Sequence, residues 1–141
     1  VIVGFPGETE EEFEATKEFL ERIHFYEMHI FKYSKRKGTK AAVMPDQVPE
    51  QVKTERSKVL LALAQEMSEE FREYYVGRPE EILLEETDEI AGNVYFTGYT
   101  KEYVKIAVPE PEGEENILVK GVVTGRISAD VYRMENIEKA E

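Results

Sequence analysis

Three groups of residues in this chain of 141 have types and spacing that could do chemistry. The first is Gly4-Phe5-Pro6-Gly7-Glu8, lying between an apolar segment, Val1-Ile2-Val3, and a helix signal. A glycine-rich turn at the carboxyl end of a strand lets a ligand approach the backbone, and α/β proteins bind ligands at that edge. The same residues would also make a tight turn with no ligand, glycine supplying positive φ and proline rigidity. The second group is the segment Tyr33 to Lys40, where Lys35, Arg36, Lys37 and Lys40 put four cations in six positions. They read either as phosphate contacts on a nucleic acid or as a solvated surface loop. The third group interleaves aromatics and cations: Tyr95, Phe96, Tyr99 and Tyr103 with Lys101, Lys105, Arg126 and Arg133, Tyr99 and Tyr103 being the surface candidates because they flank a turn. Such a surface suits base stacking, whereas Phe96 reads as core. His24 and His29 have no partner at metal-ligand spacing, and no pair of glutamates stands in a context that implies catalysis. There is no cysteine, which excludes disulfides and thiolate metal ligands within these residues.

The elements that must hold these groups change character near Gly77. Val1-Ile2-Val3 reads as a strand of a buried parallel sheet, beginning as if cut from within a larger domain. Thr9 and Glu12 have the capping-box spacing, and Phe13, Thr16, Leu20 and Ile23 share one face of the helix that follows. Residues 28–33 read as a second strand, and 34–44 as a polar basic loop. A long helix starting near Pro49 buries Val52, Val59, Leu60, Leu63, Met67 and Phe71 and stops at Gly77. Residues 1–76 are therefore strand–helix–strand–helix, the last portion of an α/β barrel or sheet. From residue 77 the pattern is period two. Strands are expected at 82–86, 94–99, 103–108, 119–128 and 131–136, with Val104, Ile106 and Val108 inward. Five short strands predict a small closed barrel of the oligonucleotide-binding type.

The net charge of −12 argues against a simple electrostatic nucleic-acid binder. The two parts share it unequally: residues 1–76 carry 11 basic and 15 acidic groups (net −4), residues 77–141 carry 7 and 15 (net −8). No apolar run approaches the ~20 residues of a membrane span, and no basic n-region of a signal peptide is present, so a cytoplasmic protein without membrane partners is expected.

The run Val1 to Thr9, followed by three glutamates and Phe13, resembles the late barrel strand and turn of the radical-SAM methylthiotransferases of the MiaB/MtaB type. Tyr33-Ser34, Arg36, Gly38-Thr39 and Ala41-Ala42 resemble that family's Tyr-Ser-Pro-Arg-Pro-Gly-Thr-Pro-Ala segment, with Lys35, Lys37 and Lys40 where the family has proline. Met44 to Pro49 match too, and residues from about 77 are similar to the small TRAM barrel that ends these enzymes. The resemblance implies a tRNA-modifying enzyme whose full-length form carries S-adenosylmethionine and two [4Fe–4S] clusters, and whose partner is the tRNA anticodon stem-loop. It implies that Gly4, Phe5, Pro6, Gly7, Glu8 and Tyr33 line the cofactor side. RNA contacts would fall on Lys35, Arg36, Lys37, Lys40, Tyr99, Tyr103, Lys105 and Arg126. The cluster cysteines and the N-terminal domains lie outside these residues, so neither cofactor nor activity is expected of this chain alone. The stretch Gly98 to Lys105 resembles the branch acting on threonylcarbamoyladenosine at tRNA position 37. The acidic second half favours instead the branch that modifies a ribosomal-protein aspartate, and a plain RNA-docking module is the non-enzymatic alternative.

Overall fold

The computed structural model describes residues 1–112 and 114–140. Residue 113, between the strands expected at 103–108 and 119–128, lies outside the described residues, as does residue 141. The chain divides into two compact units, Val1–Glu70 and Phe71–Glu141. The division falls inside the second helix, because Phe71, Tyr75 and Val76 pack against the β core of the second unit.

In the first unit, β1 (Ile2–Val3) runs parallel to β2 (Phe31–Lys32). Between them lies α1 (Glu10–Ile23), a crossover of the kind parallel pairing requires. Its start is specified locally. The Thr9 hydroxyl accepts from the Glu12 N–H at 3.1 Å and the Glu12 carboxylate accepts from the Thr9 N–H at 2.9 Å, satisfying two of the helix's orphan donors. The helix ends at His24, whose φ of 60° is left-handed. The second helix, α2 (Glu50–Glu73), begins one residue after Pro49. Val3, Phe13, Leu20, Leu60, Leu63 and Met67 form the core of this unit. Two expected core residues are corrected here: Ile23 and Val59 are exposed. The face of α2 that packs inward is Lys53, Arg56, Leu60, Leu63 and Met67, a stripe that leaves Val59 on the solvent side.

The second unit corrects the expectation of a closed five-stranded barrel. Six strands, β3 (Pro79–Leu83), β4 (Glu86–Ile90), β5 (Asn93–Tyr99), β6 (Lys105–Pro109), β7 (Leu118–Arg126) and β8 (Val131–Lys139), form one mixed sheet. Its order is β3-β7-β8-β6-β5-β4, and β6 pairs with β8 in parallel. The extra strand arises where one was expected at 82–86. At Leu84 and Glu85 the chain leaves the β7 ladder and joins β5: the Leu84 N–H bonds the Ile117 carbonyl and the Glu85 N–H bonds the Thr97 carbonyl, both at 2.9 Å. β3 and β4, on opposite edges of the sheet, are thus two halves of one bent segment. In residues 86–90 three of five side chains, Glu86, Asp88 and Glu89, are acidic types depleted in strands, so the strand signal is weak. The β4–β5 turn is Ala91-Gly92, both with positive φ (51° and 79°), a primed hairpin turn usually signalled by Asn-Gly or Asp-Gly. Ile82, Leu84, Val104, Ile106, Val108, Val119, Val123, Tyr132 and Met134 fill the core. The expected inward set 104, 106 and 108 is among them.

The bend needs a residue without a side chain opposite it. A Cβ on Gly98 would lie 1.9 Å from the Leu83 carbonyl oxygen, whereas one on Gly125 would meet nothing within 4 Å. Gly98→Ala should therefore destabilise the chain in urea unfolding by roughly 1–3 kcal/mol, the range for overpacking. Gly125→Ala should stay within about 0.5 kcal/mol.

Candidate functional site

Parallel pairing of β1 with β2 puts the turn after β1 and the loop after β2 on one edge of the first unit. The turn begins at Gly4, whose φ is 75°. The Glu8 N–H bonds the Phe5 carbonyl at 2.9 Å, closing the turn. The Gly7 N–H donates to the Asp46 carbonyl at 2.8 Å, tying the turn to the far end of the basic loop. Within that loop Thr39 bonds the Arg36 carbonyl through its hydroxyl at 2.8 Å. The Gln47 amide donates to the Ala41 and Met44 carbonyls at 3.0 and 2.9 Å.

Between turn and loop lies a cleft of about 530 Å³, lined by Ile2, Phe5, Phe31 and Tyr33 on its apolar side and by Ser34, Arg36 and Thr39 among its polar residues. The Phe5 and Tyr33 rings meet edge to face with centroids 5.4 Å apart. The Tyr33 hydroxyl is buried and has no hydrogen-bond partner among the described residues. An apolar wall with a few polar groups is the usual make-up of a small-molecule site. Of the expected cofactor residues, Phe5 and Tyr33 line the cleft, Gly4 and Pro6 are buried and Gly7 is exposed. Glu8 turns inward, its carboxylate accepting from the Gly4 N–H at 3.0 Å and from the Arg56 guanidinium at 2.7 Å.

Lys53 and Arg56 were not singled out from sequence. Both are buried on α2. Arg56 also donates to the Glu8 carbonyl at 3.1 Å and the Glu10 carboxylate at 3.2 Å, and Lys53 donates to the Tyr33 carbonyl at 3.1 Å. The signal was present as spacing: the stripe Leu60, Leu63, Met67 continues N-terminally onto 56 and 53. Lys35, Arg36, Lys37 and Lys40 are exposed, and their side chains form no ion pair among the described residues.

In the second unit the turn Thr100 to Tyr103 displays the aromatics. The Tyr103 N–H bonds the Thr100 carbonyl at 3.0 Å and the Val104 N–H bonds the Thr100 hydroxyl at 3.2 Å. Tyr103 has φ 65° and is 75% exposed; a bulky side chain held in left-handed backbone is uncommon. Tyr99 is also exposed. Lys105, read as a cation for RNA, has its ammonium 2.6 Å from Asp88 and 3.5 Å from Glu86, and sits 5.9 Å from the centre of the Tyr99 ring. Its hydrogen bond to Asp88 raises the Lys105 pKa, and the same bond, with one from Thr97, lowers that of Asp88. Arg126 is exposed at the end of β7, with β8 lying between it and β6. A further groove of about 470 Å³ mixes Glu80, Glu81 and Glu138 with Lys101 and Lys120. Burial and then the neighbouring Glu102 raise the Glu80 pKa. Among the described residues no three His, Cys, Asp or Glu side chains are grouped to hold a metal ion, and no helix is long and apolar enough to cross a membrane.

The molecule is thus a small α/β protein with a ligand-sized cleft at the carboxyl ends of parallel strands, followed by a six-stranded mixed sheet. No protein-family model matches the sequence. Among curated proteins, the chain is 46% identical over 121 residues to the threonylcarbamoyladenosine tRNA methylthiotransferase MtaB of Bacillus subtilis (85% of this chain, 26% of that protein). It is 46% identical over 101 residues to a tRNA-2-methylthio-N(6)-dimethylallyladenosine synthase of Acetivibrio thermocellus (72% and 21%). It is 34% identical over 134 residues to the ribosomal protein uS12 methylthiotransferase RimO of Clostridium botulinum (91% and 28%). The chain belongs to the methylthiotransferase family of the MtaB and MiaB type and matches its C-terminal region. It spans about a quarter of the length of these relatives.

The Asp88–Lys105 pair gives a pH test. A carboxyl whose pKa is lowered by folding stabilises the protein above its unfolded pKa, and that contribution is lost as pH falls through the folded value. Between pH 6 and pH 3, Asp88→Asn should therefore lose less stability than the parent in urea unfolding. The pair is partly exposed, so the difference should be no more than about 1 kcal/mol.

Proposed function

We propose that this chain is the C-terminal part of an enzyme that adds a methylthio group to threonylcarbamoyladenosine at position 37 of tRNA, using S-adenosylmethionine and iron–sulfur clusters. The observation that carries the reading is the shared edge. The Gly4–Glu8 turn with its apolar cleft and the unpaired cations Lys35 to Lys40 stand side by side, so a cofactor and a polyanion could be held by adjoining loops. The match at 46% identity to a protein named for that nucleoside extends over 121 residues, against 101 for the one named for dimethylallyladenosine, and supports the substrate.

The cleft fits an adenosyl group. Phe5 and Tyr33 would contact its faces, the orphaned Tyr33 hydroxyl would find a partner, and Gly4, Pro6, Gly7 and Glu8 would shape the backbone around it. When bound, S-adenosylmethionine supplies radical or methyl-transfer chemistry; the residues here bind, orient and exclude water. The clusters do not fit these residues. With no cysteine in the chain, thiolate ligands come from the rest of the enzyme, and the 141 residues alone are read as inactive.

The second unit is read as a TRAM-type RNA-binding module, built on the six-stranded mixed sheet and not on a closed barrel, that grips the anticodon stem-loop. The exposed Tyr99 and Tyr103 support this, since aromatics beside cations suit base stacking. Tyr99, Tyr103 and Arg126 would contact RNA. Lys105, held by Asp88, would serve more by steadying Tyr99 than by meeting phosphate. Replacing Lys35, Arg36 and Lys37 together with Ala in the full-length protein should weaken tRNA binding and flatten the log–log salt slope by about 2, since each phosphate contact on single-stranded RNA releases ~0.7 counterion. Tyr103→Ala should cost ~1–3 kcal/mol with the slope unchanged.

A ribosomal-protein substrate is the second reading, favoured by the net charge of −8 on residues 77–141 and the neutralised Lys105. Nucleoside mass spectrometry of tRNA from a strain lacking the gene separates the two. Loss of the methylthio form of threonylcarbamoyladenosine supports the first. Its persistence, with loss of a methylthio group from a ribosomal-protein aspartate, establishes the second and refutes the first.

A further inference from the structure

α2 meets the cleft from behind. Neither Lys53 nor Arg56 lines it, yet each holds one of the two segments that do. Arg56 fixes the Glu8 carboxylate and carbonyl at 2.7 and 3.1 Å, and that carboxylate fixes the Gly4 N–H at 3.0 Å. The Glu8 carboxylate therefore closes the turn on itself, first residue to last, and the guanidinium holds that carboxylate in place. Lys53 holds the Tyr33 carbonyl at 3.1 Å, at the end of β2. Its alkyl stem occupies the space a side chain at position 4 would need: a Cβ on Gly4 would be 2.3 Å from Lys53 Cγ. Two charged residues, each 7% exposed, stand where the stripe on α2 would otherwise place apolar ones. Burying a charge is costly unless pairing and hydrogen bonds offset it, and here the offsetting partners are the cleft-bearing segments themselves, Glu8 for Arg56 and the Tyr33 carbonyl for Lys53, with Glu10 and Glu50 beside them.

We propose that Lys53 and Arg56 are positioning residues for the cleft, setting the backbone of Gly4–Glu8 and the carbonyl end of Tyr33 against which the cofactor lies. This rests on the reading of the cleft as an S-adenosylmethionine wall. Arg56 suits the task because its planar fork reaches two acceptors on Glu8 and a third on Glu10, which a lysine cannot reproduce. Lys53 suits its own because a narrow alkyl stem passes beneath Gly4 and ends in a donor.

The test is calorimetric titration of the full-length protein with S-adenosylmethionine, with tRNA affinity measured in parallel. Arg56→Met and Lys53→Met should each raise the cofactor Kd about tenfold or more, the usual consequence of losing a group that orients a site's contact residues, and leave the tRNA Kd unchanged. Arg56→Lys should recover part of the loss. Lys53→Met keeps the stem under Gly4 and deletes only the ammonium, so it decides the matter if Arg56→Met does not fold. Phe5→Ala and Tyr33→Ala test the cleft itself. If they weaken cofactor binding while the Lys53 and Arg56 variants do not, the positioning role is overturned and the cleft stands. If none of the four changes the Kd, the cleft assignment falls, and this inference with it.

Discussion

Arg56 is an arginine almost without water, its side chain 8% exposed, and it faces a Glu8 carboxylate that is 15% exposed. Removing two charges from water costs several kcal/mol per ion, and their attraction offsets this only with good geometry and further hydrogen bonds. Here both conditions hold: a contact of 2.7 Å, a second bond to the Glu8 carbonyl, and a backbone N–H on the same carboxylate oxygen. The Phe13 ring, 5.4 Å from the guanidinium carbon, covers one side. The register of α2 behind the β1 turn, the conformation of Gly4–Glu8 and the wall of the cleft all depend on this interaction. A buried pair of this kind does little for net stability compared with an apolar replacement, but breaking half of it leaves a buried charge without a partner. That makes it better at specifying one geometry than at adding stability.

The second unit answers to a different constraint, the path of one segment from edge to edge of its sheet. Leu84 is buried while the backbone around it changes ladder partners. The side chains at 82 and 84 keep the two-residue alternation through the bend, so the core is continuous although the hydrogen bonding is not. Gly98 permits the close approach, and Thr97 and Thr100, both buried, turn their hydroxyls to Asp88 and to the Val104 N–H. The charged residues on the outside are then sorted by neighbours. Lys105 falls between Asp88 and Glu86, whereas Lys35, Arg36, Lys37 and Lys40 in the other unit form no ion pair among the described residues. A count of charges treats these cations alike, but only the unpaired ones can release counterions from phosphate without first breaking an ion pair.

Most of the first unit was legible. The Val1-Ile2-Val3 strand, the capping box at Thr9 and the start of the long helix beside Pro49 follow from local rules that hold in isolation. So did the placement of Phe5, Tyr33 and Arg36 near one another, since loops after parallel strands share an edge. The second unit was legible in its period-two pattern and in the inward set Val104, Ile106 and Val108. It was not legible at 86–90, where acidic residues hide a strand, or at Ala91-Gly92, where alanine takes a place usually held by asparagine or aspartate.

By itself the sequence determined element type, the glycine-rich turn, the cluster of loop cations and the family resemblance, because each is written in neighbouring residues or in periodicity. Only the tertiary structure decided which charges are spent inside the protein and which face outward. Lys53 and Arg56 became the support of the cleft, Glu8 turned from a candidate ligand contact into the partner of Arg56, and Lys105 was claimed by Asp88. The physical reason is that a charge acts on what lies within a few ångströms of it, in a medium set by burial. Position along the chain reports neither the distance nor the burial.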